Sequence, residues 1–317
     1  MLNFVALLLQ TPGLCVERTL HAVEYFAGAR EVTKAHHRRG RRVAAFEMKD
    51  HPKLCDFTGA LGFCYATLLA LRLAPGGIAL AAPVCSTWVW INRSTSGRSR
   101  GVCLPVCMHY MRGMCAHVCA CACACVCMCV CVCVFARCSV SAAERHDTRV
   151  CAGRPLGSKR RPQVRNANEM VSKLVLLLTV LEAKSSMWIV EQPAGSLMIH
   201  HPRWVWFLRR RKVFRVFLHM ADFGGGSAKP TWIYSNRPDI DGLLKYRTHA
   251  GAWDLREELV TKCYAEDGTP KITGAKGLKE SQHYPRGFGE ACASFYDEIE
   301  LLLREPATAS CKIGAQL

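Results

Sequence analysis

The chain has 317 residues, half of them apolar, which suits one large domain or two ordinary ones. Its 20 cysteines do not indicate a secreted disulfide scaffold, because 13 of them are clustered between Cys103 and Cys151. A formal net charge of +17 favours an anionic partner, first of all nucleic acid, although a well-solvated basic surface would give the same balance.

The N-terminal segment "MLNFVALLLQ" (1–10) has a short apolar run without a basic lead-in or a small-residue cleavage site. It predicts a packed helix in an N-terminal extension (1–20) and no signal peptide. An intracellular location is therefore expected, and a nuclear one if the partner is DNA.

The following segment alternates between strand-like and helix-like patterns, which is typical of an α/β domain. The predicted elements are a strand "AVEYF" (22–26), a helix (31–40), a strand "RVAAFE" (42–47), a helix (63–73) and a strand "GIALAA" (77–82). We assign residues 21–100 to the first half of one domain, built on a doubly wound, mostly parallel sheet.

Residues 101–153 form a low-complexity Cys-rich insertion, in which "CACACACVCMCVCVCV" (119–134) alternates Cys with Ala or Val. A TGTG repeat encodes alternating Cys and Val, which favours a retained intron or mispredicted exon, disordered in the protein. The alternatives are a membrane span over 113–136, a metal-binding tract and an aggregation-prone β segment. Strict alternation does not suit a lipid-facing helix, and the spacing is not that of metal ligands.

Beyond the insertion the pattern resumes with a helix (164–184) and ends with an amphipathic helix (288–303). Apolar runs predict three further strands, at 187–191, 213–220 and 231–235. We assign 154–236 to the second half of the domain, 237–282 to a short variable region, and 283–317 to a C-terminal helix and tail.

The order strand, small-residue turn, helix and strand ending in an acid predicts a nucleotide-type cofactor site at the carboxyl edge of the sheet. Gly28 would let the backbone approach a ligand, and the helix after it offers free N–H groups. Glu47, one strand later, would accept hydrogen bonds from ribose hydroxyls. An ordinary turn glycine and a solvated acid are the alternative interpretation.

Two chemically active side chains follow other predicted strands, Cys85 in "APVCSTW" and Glu191 in "VEQPAGS". Both would emerge at the same edge, where a thiolate could attack an electron-poor ring while an acid protonates it. A buried structural thiol and a helix-capping carboxylate are the alternatives for each residue taken alone.

These segments resemble the C5-cytosine methyltransferases, a family with the class I, Rossmann-like methyltransferase fold that uses S-adenosyl-L-methionine. "EYFAGAR" resembles the family's acid-x-Phe-x-Gly-x-Gly loop, "PVCS" its Pro-Pro-Cys-Gln loop, and "EQP" its Glu-Asn-Val segment. "FGGGSAKPTWIYSN" and "YPRGFGEACASF" resemble its later motifs. The resemblance assigns cofactor contacts to the following residues: Glu24, Phe26, Gly28, Glu47, Asp56 and Pro83.

The resemblance also implies a mechanism. Cys85 would attack C6 of cytosine, Glu191 would hold and protonate N3, and C5 would take the methyl group. This chain differs from the family's motifs at Arg30, where a glycine is expected, and at Val84 and Ser86. It has Lys229 and Thr231 in place of a Gln-x-Arg-x-Arg pattern, and 237–282 is a short region for reading DNA.

Three basic stretches could bind nucleic acid: 34–42, 158–165 and 203–215. Within or near them we expect nucleic-acid contacts from a set of five residues: Arg209, Arg210, Arg211, Lys212 and Lys229. The alternative is that the first stretch is a solvated helix end and that the aromatic residues of the third lie in the core. No Cys/His spacing indicates a metal site.

The sequence therefore predicts methyl transfer from S-adenosyl-L-methionine to cytosine C5 in nucleic acid, DNA rather than RNA, by a monomer without membrane segments or a disulfide framework. The rival hypothesis is a catalytically inactive nucleic-acid-binding or mobile-element-derived protein on the same fold.

Overall fold

The computed structural model describes residues 16–89, 96–97, 155–249, 251, 260–264, 270–274 and 282–304. Within these residues, six strands form one mixed, mostly parallel sheet, which confirms the predicted α/β class. The strands are β1 (Leu20–Tyr25), β2 (Val43–Phe46), β3 (Leu73–Ala81), β4 (Met187–Pro193), β5 (Phe214–His219) and β6 (Pro230–Ser235). The predicted first helix and the Cys-rich insertion lie outside the described residues.

The strand order, β2-β1-β3-β4-β6-β5, places β1 between β2 and β3. Strands β1 to β4 are parallel, and β6 pairs antiparallel with both β4 and β5. The chain moves from β1 to β2 on one side and later to β3 on the other, so β1 and β3 flank a topological switch point. Ligands of open α/β sheets bind outside the carboxyl ends of the strands at such a point.

Helices cover both faces of the sheet. On one face lie α1 (Glu31–Arg38) and α5 (Arg286–Arg304). The other face carries α2 (Ala60–Leu71), α3 (Pro162–Ala183) and α4 (Pro202–Arg210). Each face has its own buried apolar cluster, because side chains alternate along a strand. Val23 and Tyr25 of β1 point to the α2/α3 face, whereas Ala22 packs on the α1/α5 face.

The boundary between the second helix and the third strand differs from the expectation. The helix ends at Leu71, and β3 begins at Leu73, before the Pro-Gly-Gly sequence that we expected to separate them. A register shift between β1 and β3 accommodates the irregular start, and Gly76 adopts φ 74° there. Glycine tolerates this left-handed backbone without a steric penalty, so the strand passes through the turn signal.

Two elements were not predicted. Helix α4 lies in the basic stretch 203–215; Pro202 opens its first turn, and Trp204 and Phe207 point into the core. The interpretation of the aromatic residues of this stretch as core is therefore correct for these two rings and wrong for Trp206, which is 46% exposed. A hairpin of β7 (Val260–Tyr264) and β8 (Pro270–Gly274) occupies part of the expected variable region.

No helix in the described part of the chain is both long enough and apolar enough to cross a membrane. None of the cysteines that the structure describes forms a disulfide bond: Cys55, Cys64, Cys85, Cys263 and Cys292.

Candidate active site

The loop after β1 alternates into left-handed backbone at three positions. Phe26, Gly28 and Arg30 have φ values of 59°, 50° and 59°. Arg30 therefore occupies a position that favours glycine, as the motif comparison predicts, and its guanidinium forms an ion pair with Asp50. An arginine in this left-handed conformation costs roughly 1–2 kcal/mol.

Glu47 is held against this loop. Its carboxylate accepts a hydrogen bond from the backbone N–H of Gly28 at 2.8 Å and another from that of Lys49 at 3.1 Å. An ionised carboxylate has about four acceptor sites, so Glu47 keeps the capacity to bind hydroxyl groups. Strand β2 thus places an acceptor beside the exposed backbone of Gly28.

Glu24, the acid of the same motif, lies inside the protein and is 1% exposed. Its Oε2 accepts hydrogen bonds from the backbone N–H and the hydroxyl of Thr33, at 2.7 and 2.6 Å. Burial is the main cause that raises the pKa of Glu24 to about 7. The contacts make Glu24 a positioning residue that fixes the start of α1, because the helix has no side-chain cap of its own.

Asp56 organises the turn that leads into α2. Its carboxylate accepts hydrogen bonds from the backbone N–H and the hydroxyl of Thr58, at 2.9 and 2.7 Å. Burial alone would raise the pKa of Asp56, but the hydrogen bonds from Thr58 and Gly59 outweigh it and lower the pKa. Asp56 therefore has a local structural role that accounts for its contacts.

The segment that carries Cys85 is fixed to the end of β4. The backbone carbonyl of Pro83 accepts a hydrogen bond from Nε2 of Gln192 at 3.0 Å. The Oε1 of Gln192 in turn accepts one from the hydroxyl of Ser196 at 2.9 Å. Pro83 is buried and has no polar side-chain atom, so its role is to shape the loop. Because β3 and β4 are neighbours, this clamp holds Cys85 at the same edge as Glu191.

Glu191 lies at the centre of a buried polar cluster and is 4% exposed. Its Oε1 lies 3.3 Å from Nζ of Lys229, and its Oε2 accepts a long hydrogen bond of 3.4 Å from the hydroxyl of Tyr284. The Lys229 ammonium also lies 5.5 Å from the centroid of the Tyr284 ring. A carboxylate between a cation and a phenol is well placed to exchange a proton with a polar ligand.

The Cys85 thiol is electrostatically coupled to this cluster. Burial, and after it the Glu191 carboxylate, raises the pKa of Cys85 to about 11, although the Lys229 ammonium acts in the opposite direction. Cys85 is half-buried, so part of its side chain is accessible. The predicted nucleophile and acid are therefore brought together, with Lys229 beside them.

His283 and Tyr284, which the sequence analysis did not assign to the site, join its two halves. A Cβ on Gly28 would lie 3.7 Å from Cδ2 of His283, and the next residue, Tyr284, reaches Glu191. Tyr284 opens "YPRGFGE" (284–290), part of the segment that resembles a late motif of the family. Nothing in that segment indicates that Tyr284 contacts Glu191.

The basic residues at the end of α4 lie away from this site. Glu182, next to the amino end of β4, pairs with Arg211 at 3.3 Å. Strand β5 begins directly after this segment and runs parallel to β4. The side chains therefore lie at the opposite edge of the sheet from Cys85: Arg209, Arg210, Arg211 and Lys212. Among the five expected nucleic-acid contacts, Lys229 alone lies in the site.

The other two basic stretches differ in their surroundings. In 34–42, three of the four arginines pair with acids of α5: Arg38 with Glu290, Arg39 with Glu290 and Arg41 with Asp297. This stretch is largely neutralised within the molecule. In 158–165, four long basic side chains are exposed: Lys159, Arg160, Arg161 and Arg165. They lie around the start of α3. This helix starts at the carboxyl edge of the sheet because it precedes a parallel strand, β4.

Within the described residues, no group of three or more His, Cys, Asp or Glu side chains could hold a metal ion. Comparisons of the chain with protein-family models, with curated proteins and with solved structures found no match.

Proposed function

We propose that this protein is a class I-like methyltransferase that transfers a methyl group from S-adenosyl-L-methionine to C5 of cytosine in nucleic acid, DNA rather than RNA. The observation that carries the proposal is the convergence of Cys85, Glu191 and Lys229 at the carboxyl edge, beside the switch point formed by β1 and β3.

The residues at the end of β1 fit a nucleoside cofactor. Gly28 is exposed and left-handed, and the Glu47 carboxylate beside it has acceptor sites left for ribose hydroxyls. The half-buried Phe26 ring packs edge-on against Phe57, with centroids 5.0 Å apart, and offers an apolar wall. When bound, S-adenosyl-L-methionine supplies an electrophilic methyl group on a sulfonium.

The protein side chains divide the remaining work. The Cys85 thiol passes its proton to the Glu191 carboxylate as its sulfur forms a bond to C6 of the ring, and Glu191 delivers that proton to N3 as charge moves into the ring. Lys229 holds the carboxyl in place and favours the thiolate electrostatically. After C5 is methylated, loss of the C5 and N3 protons and departure of the Cys85 sulfur restore the aromatic ring.

The phosphate backbone would be held by the basic start of α3. Lys159, Arg160, Arg161 and Arg165 are exposed, have no ion-pair partner among the described residues, and lie at the site's edge. A base entering the site must leave the stack, which is how enzymes reach ring atoms of a base.

The test is transfer of isotope-labelled methyl groups to a cytosine-containing duplex, with a duplex carrying 5-methylcytosine at every cytosine as the comparison. We expect label only in the former. Cys85→Ser and Glu191→Gln should each lose about 100-fold or more in rate, the effect expected of a nucleophile or general acid. Cys64→Ser, which removes a half-buried thiol in α2, is the matched control and should retain activity. Undiminished transfer by Cys85→Ser would refute the proposed chemistry.

One observation favours a second candidate function, nucleic-acid binding without catalysis. With a pKa of about 11, the Cys85 thiol is almost entirely protonated at neutral pH in the unliganded protein. Nucleic-acid binding together with failure to transfer methyl groups at any pH would support this alternative.

A further inference from the structure

The outer strands of the sheet carry an exposed cluster of aromatic and basic side chains. On one face of β5 and β6 lie Arg215, Phe217, His219 and Trp232, which we name the outer-strand face. Phe217 and Trp232 are direct cross-strand partners, and their ring centroids are 5.1 Å apart at 64°. The Arg215 guanidinium lies 4.5 Å from the Trp232 centroid, and the His219 ring lies 5.0 Å from that of Phe217.

This cluster lies at the rim of the core on the α2/α3 side of the sheet, where the half-buried Trp232 packs against the buried apolar residues. Trp204 of α4 covers Tyr234, with ring centroids 5.6 Å apart, but Phe217 remains 41% exposed and Arg215 is exposed. Within the described part of the chain, Arg215 has no carboxylate partner. An aromatic pair with one exposed and one half-buried ring, beside an arginine without a carboxylate partner, suits a ligand that has both flat rings and negative charge.

We propose that the outer-strand face binds single-stranded nucleic acid by stacking unpaired bases on Phe217 and Trp232 while Arg215 contacts a phosphate. Stacking requires exposed base faces, which a duplex interior does not offer, and the positive charge complements the backbone. The binding of nucleic acid as such rests on the proposed function, but the stacking surface is separate from the residues that would perform methyl transfer.

The location of this face relates it to the site. Trp232 follows Lys229 by three residues along β6, which corresponds to roughly 10 Å of extended chain. His219, at the end of β5, pairs with Pro230, the neighbour of Lys229. A single strand of nucleic acid with one base near Glu191 could therefore continue over the edge of the sheet and place its next unpaired bases on the outer-strand face.

The experiment measures the affinity of the full-length protein for fluorescein-labelled oligothymidylate by anisotropy, at several salt concentrations. We expect Phe217→Ala to weaken binding by about 5- to 100-fold, as the loss of one base–aromatic stack does. Arg215→Gln should weaken binding and reduce the slope of log affinity against log salt by about 0.7, the value for one phosphate contact on a single strand. Phe217→Tyr keeps a ring and should retain affinity, which separates stacking from misfolding.

Trp206→Ala is the matched control, because Trp206 is 46% exposed and has the Arg210 guanidinium 5.1 Å from its ring, but belongs to α4. It should bind as the unaltered protein does. Equal losses in Trp206→Ala and Phe217→Ala, or none in either, would overturn the proposal. So would inorganic polyphosphate competing as well as oligothymidylate, which would reduce the effect to charge.

Light scattering tests the other occupant, a second copy of the chain paired along edge strand β5. If Phe217→Ala lowers the mass in solution and leaves oligothymidylate affinity unchanged, the face is a self-association surface and the proposal is wrong. Oligothymidylate contains no cytosine, so its affinity is measured independently of methyl transfer. Failure of methyl transfer and failure of this inference are therefore distinguishable.

Discussion

At the scale of single residues, burial decides the chemistry of the candidate site. Glu24 and Glu191 are both acids on the α1/α5 face, yet Glu24 is fixed to Thr33 whereas Glu191 contacts Lys229 and Tyr284. The sequence singled out Glu191 by its position at a strand end and Glu24 by the motif resemblance, and their functional roles stay predictions. It could not predict the Tyr284 contact, because 93 residues separate Tyr284 from Glu191 and no local pattern encodes that pairing.

The reactivity of Cys85 should depend steeply on pH. Because burial raises the pKa of its thiol to about 11, iodoacetamide labelling of Cys85 should rise about tenfold per pH unit between pH 8 and 10. Lys229→Gln removes the ammonium that lowers this pKa and should slow labelling at each pH. Peptide mass spectrometry measures the rate, with the exposed Cys263 as the internal reference. Labelling of Cys85 at pH 7.5 as fast as that of Cys263 would contradict the burial that we describe.

Glu24 should make stability depend on pH in a defined direction. The folded protein keeps a proton on Glu24 up to about pH 7, whereas the unfolded chain releases it near 4.5, so stability falls as pH rises through this window. The loss is roughly 3 kcal/mol, from about 1.4 kcal/mol per pKa unit. Glu24→Gln keeps an acceptor for Thr33 but does not titrate.

Urea unfolding at pH 5 and pH 8 tests this prediction. The difference in unfolding free energy between Glu24→Gln and the unaltered protein should change by roughly 3 kcal/mol from pH 5 to pH 8, in favour of Glu24→Gln. His36, whose pKa burial lowers to about 3, titrates in both proteins and cancels in this difference. An equal difference at the two pH values would show that Glu24 is ionised in the folded state.

At the scale of elements, apolar runs predicted the six sheet strands because each is buried on one or both faces. The reversed direction of β6 could not be predicted, since a strand's sequence does not state its partner. Helix α4 was missed because its arginines dominated the pattern of a short segment. The irregular start of β3 shows that a Pro-Gly-Gly sequence can lie inside a strand and does not always separate it from the preceding helix.

The joint between α1 and α5 depends on a glycine contact. A Cβ on Gly289 would lie 2.4 Å from the backbone carbonyl oxygen of Glu31. A larger residue at this position would therefore force α1 and α5 apart. Gly289→Ala should destabilise the protein by about 1–3 kcal/mol, the usual cost of overpacking. Chemical denaturation measures this, with Gly195→Ala as control because nothing lies within 4 Å of its added Cβ. Equal stability of the two variants would show that the helices are not packed as described.

At the scale of the whole molecule, the excess positive charge is neutralised in some basic stretches and exposed in others. Arg38 at the end of α1 and Arg41 just after it are paired with acids of α5, whereas the basic start of α3 is exposed beside the site. The sequence predicted three equivalent basic stretches. It could not rank them, because the neutralising acids are some 250 residues away along the chain.

Duplex DNA binding should therefore depend on α3 and not on α4. Arg160→Gln with Arg161→Gln should reduce the slope of log affinity against log salt by about 1.8, because each phosphate contact on B-DNA contributes about 0.9. Arg209→Gln with Arg210→Gln, at the opposite edge of the sheet, should leave the slope unchanged. Anisotropy titrations between 50 and 200 mM salt would measure both, and the reverse ranking would place DNA at the other edge.

The most direct test of the central claim, that the carboxyl edge is a methyltransferase site, is the melting temperature of the full-length protein with S-adenosyl-L-methionine. At a ligand concentration 100 times its dissociation constant, stabilisation should be about 2.7 kcal/mol. For a chain of this size that corresponds to a rise of roughly 5 °C or more. Glu47→Ala, which removes the carboxylate beside Gly28, should abolish the rise. The account is contradicted if the melting temperature does not change with cofactor, or if Glu47→Ala responds as the unaltered protein does.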